Sequence, residues 1–471
     1  MPTQPNIVVV LADDLGYGDL GCTGSPVIQT PNLDRFASQG IQFTQCYAAS
    51  PNCSPARAGL LTGRTPYRVG MYDFLRQDTP MHLPADEVTV ATMLRDNGYD
   101  TCFVGKWHLS GHFNDLRHPN PGQHGFNHWL GNAGNFDQNP TTLLRNSEPA
   151  GELPGIQCEV VMREAIDWLE NIRDKSKPFC LFVWLNEPHT PVRATDAFKD
   201  RYHNCDEAAS KVRYGGPGVD RSTCDINERP TYFGCVSQMD NEFGRLMDTL
   251  DRLGLAEDTL AYFTSDNGPE HRAPTSWGSP GHFRGAKGHM HEGGIHVPGF
   301  MRWPAQFAPG TISDLPINGT DILPTLCALS NTPITATKPI DGTNLLPALL
   351  NGEPIDRPSP MFWWLFHARG GKQACLREGD WKIMARMNPQ GEQNGYGNNP
   401  PPDIPYMDYI KTAPLEDFEL FNLAEDPEET TNQANNEPEL IDHLKNTITA
   451  LHNDVRIEGP RWETITGPAG K

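Results

Sequence analysis

No stretch of the chain approaches the roughly eighteen to twenty uninterrupted apolar residues that carry a helix across a bilayer, so the sequence predicts no membrane span. Basic residues are also scarce: 38 Lys and Arg face 59 Asp and Glu, for a formal charge of −21. That balance argues against nucleic acid and anionic membranes as partners, because both require a basic surface. Cysteine is thin and irregular, with eleven residues at no repeated spacing, which gives neither a zinc pattern nor a disulfide framework. No internal repeat is present. The opening Met1-Pro2-Thr3-Gln4-Pro5 leaves no room for a leader before the first apolar run. Two expectations follow from this: a cytoplasmic protein, or a mature form whose leader has been removed. At 471 residues the chain is long enough for one large α/β domain, 1–355, and a smaller part, 356–471, joined through the polar, Pro-rich residues 351–360.

What is present is a set of apolar runs that end in reactive side chains. Residues 6 to 12 read Asn-Ile-Val-Val-Val-Leu-Ala, the continuous β-branched pattern of a strand buried on both faces, and Asp13 and Asp14 follow at once. Leu260–Thr264 runs into Ser265, Asp266, Asn267 and Gly268. Thr101–Val104 leads to Lys106 and His108, and Phe179–Leu185 leads to Glu187 and His189. In open α/β sheets ligands bind beyond the carboxyl ends of the strands, so four such endings predict one shared site. Helices are expected over 30–38, 159–173 and along the apolar face Val236, Met239, Phe243, Leu246, Met247, Leu250 and Leu253. A last helix carries Leu440, Ile441, Leu444, Ile448, Leu451 and Val455 on one side. Residues 388–405, crowded with Pro, Gly and Asn, are expected to form a long surface loop bordering the pocket.

Asp13, Asp14, Asp266 and Asn267 offer hard oxygen ligands without thiolates or paired imidazoles, which favours Ca²⁺ first and Mg²⁺ second over Zn²⁺. Asp-Asp and Asp-Asn-Gly are also ordinary turn formers. Their placement directly after buried-type strands is what favours a ligand role. The dense histidines His282, His289, His291 and His296 are rejected as a zinc site because glycines interrupt them. Substrate contact or plain solvation is expected for each.

Residues 53 to 64 read Cys-Ser-Pro-Ala-Arg-Ala-Gly-Leu-Leu-Thr-Gly-Arg. As a helix start, Ser54 can cap, Pro55 suits the first position and Gly63 suits the end. A group at Cys53 would then sit where the peptide dipoles favour negative charge. The run also resembles the processing signal of formylglycine-dependent sulfatases. The resemblance extends over most of the chain: Asp13-Asp14, Gly105-Lys106-Trp107-His108, Pro188-His189-Thr190-Pro191, Ser265-Asp266-Asn267-Gly268, and Arg284-Gly285-Ala286-Lys287 through Glu292-Gly293-Gly294. Gly379-Asp380-Trp381-Lys382, Glu419–Leu423 and Asp426-Pro427 look like the family's C-terminal part. The resemblance implies an alkaline-phosphatase-like α/β fold: a large, mostly parallel mixed sheet between helix layers, with a smaller C-terminal antiparallel sheet and helix completing the substrate pocket. It also implies a maturation enzyme that oxidises Cys53 to formylglycine, whose hydrate attacks sulfur while lying against the metal held by Asp13, Asp14, Asp266 and Asn267.

Chemistry suggests roles for the remaining residues. The ester oxygens must be neutralised before a hydroxyl can approach sulfur, and Lys106 and Lys287 are the expected clamps. Arg57, one helical turn past Cys53, fits orientation and charge balance. Asp266 is the expected base. His189, with an ordinary pKa of about 6.5, is the expected acid for the leaving alcohol, assisted by Lys287. Regeneration of the aldehyde falls to His108, a division of labour implied by the resemblance. Trp107, His112, Arg68, Asp73, Trp363, Trp364 and His367 are candidates for a sugar subsite, with core packing the default for the tryptophans.

The expected activity is removal of sulfate from a carbohydrate sulfate ester, exo-acting on a polysaccharide or glycosaminoglycan oligosaccharide. Similarity over Leu109–Gly125 and Glu187–Pro191 leans toward galactose or N-acetylgalactosamine sulfate. A polyanionic substrate and an acidic protein are compatible if the mouth is locally basic, since screening acts over about 8 Å at physiological salt. Bacterial polysaccharide sulfatases resembling this chain are commonly exported, which leans toward a periplasmic or secreted mature form. Phosphonate and phosphate monoester hydrolases of the same superfamily are the rival class. They tend to carry histidine beside the second metal aspartate, where this chain has Asn267. A non-catalytic glycan binder is the other alternative, and retention of Cys53 and His189 argues against it.

Overall fold

The computed structural model describes residues 4–113, 115–387 and 405–463, with the backbone of 393–394 and 397–398. The expected loop at 388–405 therefore lies almost wholly outside the described residues.

Ten strands form the main sheet: β1 (Asn6–Asp13), β2 (Ile41–Phe43), β3 (Asp100–Lys106), β4 (His128–Asn132), β5 (Leu144–Arg145), β6 (Glu148–Pro149), β7 (Phe179–Pro188), β8 (Thr259–Ser265), β9 (Gly299–Arg302) and β10 (Thr311–Ser313). Their spatial order is β10-β2-β9-β8-β1-β7-β3-β4-β5-β6. The central five, β8-β1-β7-β3-β4, are all parallel, and antiparallel pairings appear toward both edges. Parallel strands covered on both faces need apolar residues at every position rather than at alternate ones. Accordingly β3, β7 and β8 are buried throughout, and β1 from Ile7 onward.

The helices that position the site and core are α1 (Pro31–Ser38), α2 (Cys53–Thr62), α3 (Gln157–Asp167), α4 (Arg229–Arg252) and α5 (Pro438–Glu458). The helix expected over 159–173 is instead α3 followed by a π-helical turn, Trp168–Ile172. In α4 the apolar stripe from Val236 to Leu250 is buried, as the 3.6-residue period requires, while Leu253 lies just past the helix end and is only partly covered.

A second, antiparallel sheet orders β11 (Met361–Trp364), β12 (Ala374–Glu378), β13 (Trp381–Met387) and β14 (Leu415–Asn422). The expected architecture, alkaline-phosphatase-like with a small C-terminal sheet, is thus present. The two parts do not have separate interiors: Val9, Leu61, Trp364, Ile383 and Leu444 belong to one apolar cluster. A buried ion network also joins them. Lys382 Nζ lies 2.8 Å from Glu292 Oε1 and 2.9 Å from Glu429 Oε1, and all three side chains are almost wholly buried. Among the described residues no helix is long and apolar enough to cross a membrane.

Candidate active site

The carboxyl ends of β1, β3, β7 and β8 converge. Asp13 closes β1, Lys106 closes β3, His189 follows β7, and Asp266 follows β8 with its N–H donating to Ala12 O at 3.0 Å. Gly105 permits this convergence, because a Cβ there would stand 1.8 Å from Trp184 O on the neighbouring strand. Helix α2 opens against the same end. Asn52, not Ser54, caps it: the Asn52 side chain accepts from Cys53 N at 3.1 Å. Cys53 is therefore the first helical residue and Pro55 the third. Gly63 ends the helix at φ 65°, as expected.

Arg57, fully buried under the site, ties the cluster together. Its Nε and Nη2 donate to Asp266 Oδ2 at 3.0 and 2.7 Å, and its Nη1 donates to Lys106 O at 2.8 Å. Nη2 also lies 3.3 Å from Asp13 Oδ2. Lys106 Nζ reaches Asp13 Oδ2 at 2.5 Å, and Lys287 Nζ lies 2.6 and 2.9 Å from the two oxygens of Asp14. Asn267 Nδ2 donates to Asp14 Oδ1 at 2.7 Å, and Asp14 N donates to Asp266 Oδ1 at 3.1 Å.

The electrostatics follow from burial and from these partners. Burial pushes the Asp13 carboxyl up, but Lys106 and the other nearby cations outweigh it and hold Asp13 well below the ordinary carboxylate range. Burial, reinforced by Asp13, pushes Asp14 and Asp266 up to about 6. Burial would lower Lys287, yet Asp14 keeps it raised and charged. The Cys53 thiol is raised by burial despite Lys106 and Lys287, so it is not a thiolate nucleophile.

His108 is neutral because burial, with Lys106 and Arg57 nearby, drives its pKa far down. Its Nε2 lies 2.8 Å from Leu75 O, which fixes the proton there and leaves buried Nδ1 with a lone pair and no partner among the described residues. His189 departs from expectation. Burial first, then Lys287, push it down to about 3 rather than leaving it near neutrality. Its Nδ1 lies 2.6 Å from Thr190 O and also contacts Asn135, which turns Nε2 toward Asp14 Oδ2 at 3.6 Å.

Two oxygens in the cluster, Asp13 Oδ1 and Asn267 Oδ1, are buried and have no hydrogen-bond partner among the described residues. Asp13, Asp14 and His189 each present a ligand atom within 4.8 Å of the others. Unsatisfied carboxylate and amide oxygens are what a hard cation occupies, so the donor set fits a divalent metal. His189 is a nitrogen addition to a set expected to be oxygen only.

A cavity of about 480 Å³ opens over Cys53, with Lys106, His108, His189 and Lys287 on its walls. Asp73 and His367 are there as well, joined Oδ2 to Nδ1 at 2.5 Å. The sequence reading missed Asn52, Glu270, Arg369 and Tyr406, which also line it. Arg369 forks onto Glu270 at 2.7 and 3.1 Å. Only the position of Glu270, four residues past Asp266, offered a signal.

Several expected subsite residues are elsewhere. Trp107, Trp363 and Trp364 are core. Arg68 is held by Asp341, Asp454 and Glu458, so its charge is spent on structure, and His112 lines a neighbouring cavity. The histidines around Lys287 are mostly neither solvated nor on the cavity wall: His289, His291 and His296 are buried, and His296 is bonded to Glu292 and Thr44.

A family model described as Sulfatase matches residues 5–332. This chain belongs to the sulfatase family. Among curated relatives, the sulfatase is 34% identical to human arylsulfatase A over 390 residues, 76% of this chain and 70% of the relative. It is 32% identical to N-acetylgalactosamine-6-sulfatase of Canis lupus familiaris over 408 residues, covering 81% and 72%. The solved structure of Ps i-CgsB in complex with k-i-k-neocarrahexaose aligns with a TM-score of 0.77 at 26% identity, covering 97% of this chain and 94% of that one. The sulfatase is therefore an enzyme, and the family implies a formylglycine and a metal ion.

Proposed function

We infer that this sulfatase hydrolyses a carbohydrate sulfate ester using a formylglycine made from Cys53 and a Ca²⁺ ion held by Asp13, Asp14, Asp266 and Asn267. The observation that carries the reading is Cys53 at the first turn of α2, on the wall of one cavity with Lys106, His108, His189 and Lys287 and near the unpartnered Asp13 Oδ1 and Asn267 Oδ1. The hydrated aldehyde supplies an oxygen nucleophile that a buried, protonated thiol cannot, and the cation supplies charge neutralisation for the ester oxygens.

The chain's own residues do the rest. The three carboxylates and the three cations Arg57, Lys106 and Lys287 cancel formally, so a bound divalent ion leaves the site positive and suited to a sulfate monoester. Lys106 and Lys287 hold the sulfate oxygens. Arg57 positions Asp266 by two hydrogen bonds to Oδ2, and Oδ1, which among the described residues accepts only from Asp14 N, keeps a lone pair for proton uptake. His108 is neutral and presents an open Nδ1 lone pair, which becomes an effective proton acceptor once a bound sulfate offsets the charges of Lys106 and Arg57. His189 stands beside Lys287 with its ring proton on Nδ1 against Thr190 O, so Nε2 can be lent to the cation, and it delivers a proton to the departing alcohol only after the charge of a bound sulfate raises its pKa. The neutral amide of Asn267 suits a singly charged sulfate better than a doubly charged phosphate.

Peptide mass spectrometry across residue 53 from protein made with a maturation enzyme checks the nucleophile, and a panel of defined sulfated oligosaccharides checks the substrate class. Active protein containing only unmodified cysteine removes the mechanism. Replacing His189 by alanine should lower kcat on unactivated sugar sulfates by about 10² more than on aryl sulfates, since general acid catalysis matters most for poor leaving groups. Equal losses on both would strip His189 of the acid role.

The pH dependence of metal binding has a definite sign. Asp14 and Asp266 are raised from 3.8 to about 6 in the metal-free protein, so their contribution to stability is present below 3.8 and is lost as pH rises through about 6. Cation binding offsets that loss only where the groups are ionised. The Ca²⁺-induced rise in Tm should therefore grow as pH increases over this range. A constant shift, measured by calorimetry, would place the ion elsewhere.

A further inference from the structure

The space over Cys53 does not end at His108. A second cavity of about 520 Å³ adjoins it, and Leu75, Arg76, His108 and Asn135 line both. Its remaining wall mixes Phe113 and Ala133 with polar side chains, with Ser110, Asn132 and Thr142 on it and His112 facing Asp78 and Asp115.

Two independent features of this second space point to a ligand. Ser110 is 1% exposed, and its hydroxyl has no hydrogen-bond partner among the described residues. A buried hydroxyl in that state is unfavourable unless something entering the cavity satisfies it. Arg76 is the second feature. Its guanidinium lies 5.3 Å from the Phe74 ring centroid, and it makes no ion pair among the described residues. The other Lys, Arg, Asp and Glu side chains on the catalytic cavity are engaged: Asp73 by His367, Glu270 by Arg369, Lys106 by Asp13 and Lys287 by Asp14. Asp115 in the second cavity is taken by Arg117, and Asp78 faces the His112 ring nitrogen at 3.6 Å. Arg76 thus stands as a free cation on the wall between the two spaces.

We propose that the second cavity holds the sugar unit adjoining the one that is desulfated, and that Arg76 binds an anionic oxygen group, sulfate or carboxylate, on that adjoining unit. The proposal deepens the carbohydrate-sulfate reading and rests on it. A planar guanidinium presents paired N–H donors that match either oxyanion, and its position near the Phe74 ring limits the freedom lost on binding. It also supplies local positive charge on a chain whose net charge of −21 would otherwise oppose a polyanion.

The test uses three oligosaccharide sulfates with the same reactive unit, whose neighbour carries a sulfate, a uronate carboxylate or no charge, with an aryl sulfate as a fourth substrate. The matured enzyme should prefer the anionic neighbours. Arg76→Ala should lower kcat/KM for them by about tenfold or more relative to the neutral one, mainly through KM, which is the scale of one hydrogen bond to a charged group. Arg76→Lys should keep part of the preference, and added salt should narrow it. The anion suffering the larger loss identifies the group bound. A wild type without preference, or an Arg76→Ala that lowers all three oligosaccharides in the same proportion, overturns the proposal. Turnover of the aryl sulfate with none of the three oligosaccharides overturns the carbohydrate reading beneath it.

Discussion

Cys53→Ala should leave a folded protein whose kcat/KM on aryl sulfate falls at least about 10⁴-fold, the scale expected when a nucleophile is removed while its binding groups remain. The physical argument is that no other group on the cavity can replace it. Lys106 and Lys287 are committed to Asp13 and Asp14 at 2.5 and 2.6 Å, His367 is committed to Asp73 at 2.5 Å, and burial makes His108 and His189 weak bases. The fold should tolerate the change, because residue 53 is the first residue of α2 and the cap comes from the Asn52 side chain, which alanine does not disturb. Circular dichroism and Tm check the folding while turnover checks the chemistry. Activity within tenfold of wild type would remove residue 53 from the reaction.

Arg57→Ala should cost about 3–5 kcal/mol of stability and also abolish turnover, since it leaves Asp13 and Asp266 as buried charges without their shared partner. Both carboxylates and the guanidinium are fully covered, so solvent cannot compensate. Asp266 should then titrate higher still, because the cation that now lowers it is gone. Added Ca²⁺ should recover part of the stability but little of the activity, because the ion restores charge without restoring the position of Asp266. Chemical denaturation with and without Ca²⁺ measures this, and a loss under 1 kcal/mol would show that Arg57 does not balance the cluster.

The fold's core was readable because its signals are local. Short continuous β-branched runs ending in turn formers favour buried strands, and the 3.6-residue stripe of α4 favours a buried helix face; both are found. The convergence of Asp13, Lys106, His189 and Asp266 followed from one rule about the carboxyl ends of parallel strands, and it holds in the structure. Arg68 and the histidines near Lys287 were misjudged for the opposite reason. Whether a charged side chain faces substrate or a structural partner depends on what folds over it, and here Asp341, Asp454 and Glu458 enclose Arg68 from the far end of the chain.

The sequence by itself therefore indicated the central strands, the reactive residues at their carboxyl ends and the resemblance of the Cys53 run to a sulfatase processing signal. Tertiary structure alone decided which carboxylate each cation meets, that His189 is neutral and turned toward Asp14, that Asp73 bonds His367 across 294 residues, and that Arg76, between two cavities, makes no ion pair among the described residues. The division has a physical cause. Backbone pattern and hydrophobic periodicity are set within a few neighbours along the chain, whereas burial and Coulomb terms are set by neighbours in space, and it is those terms that fix protonation and pairing.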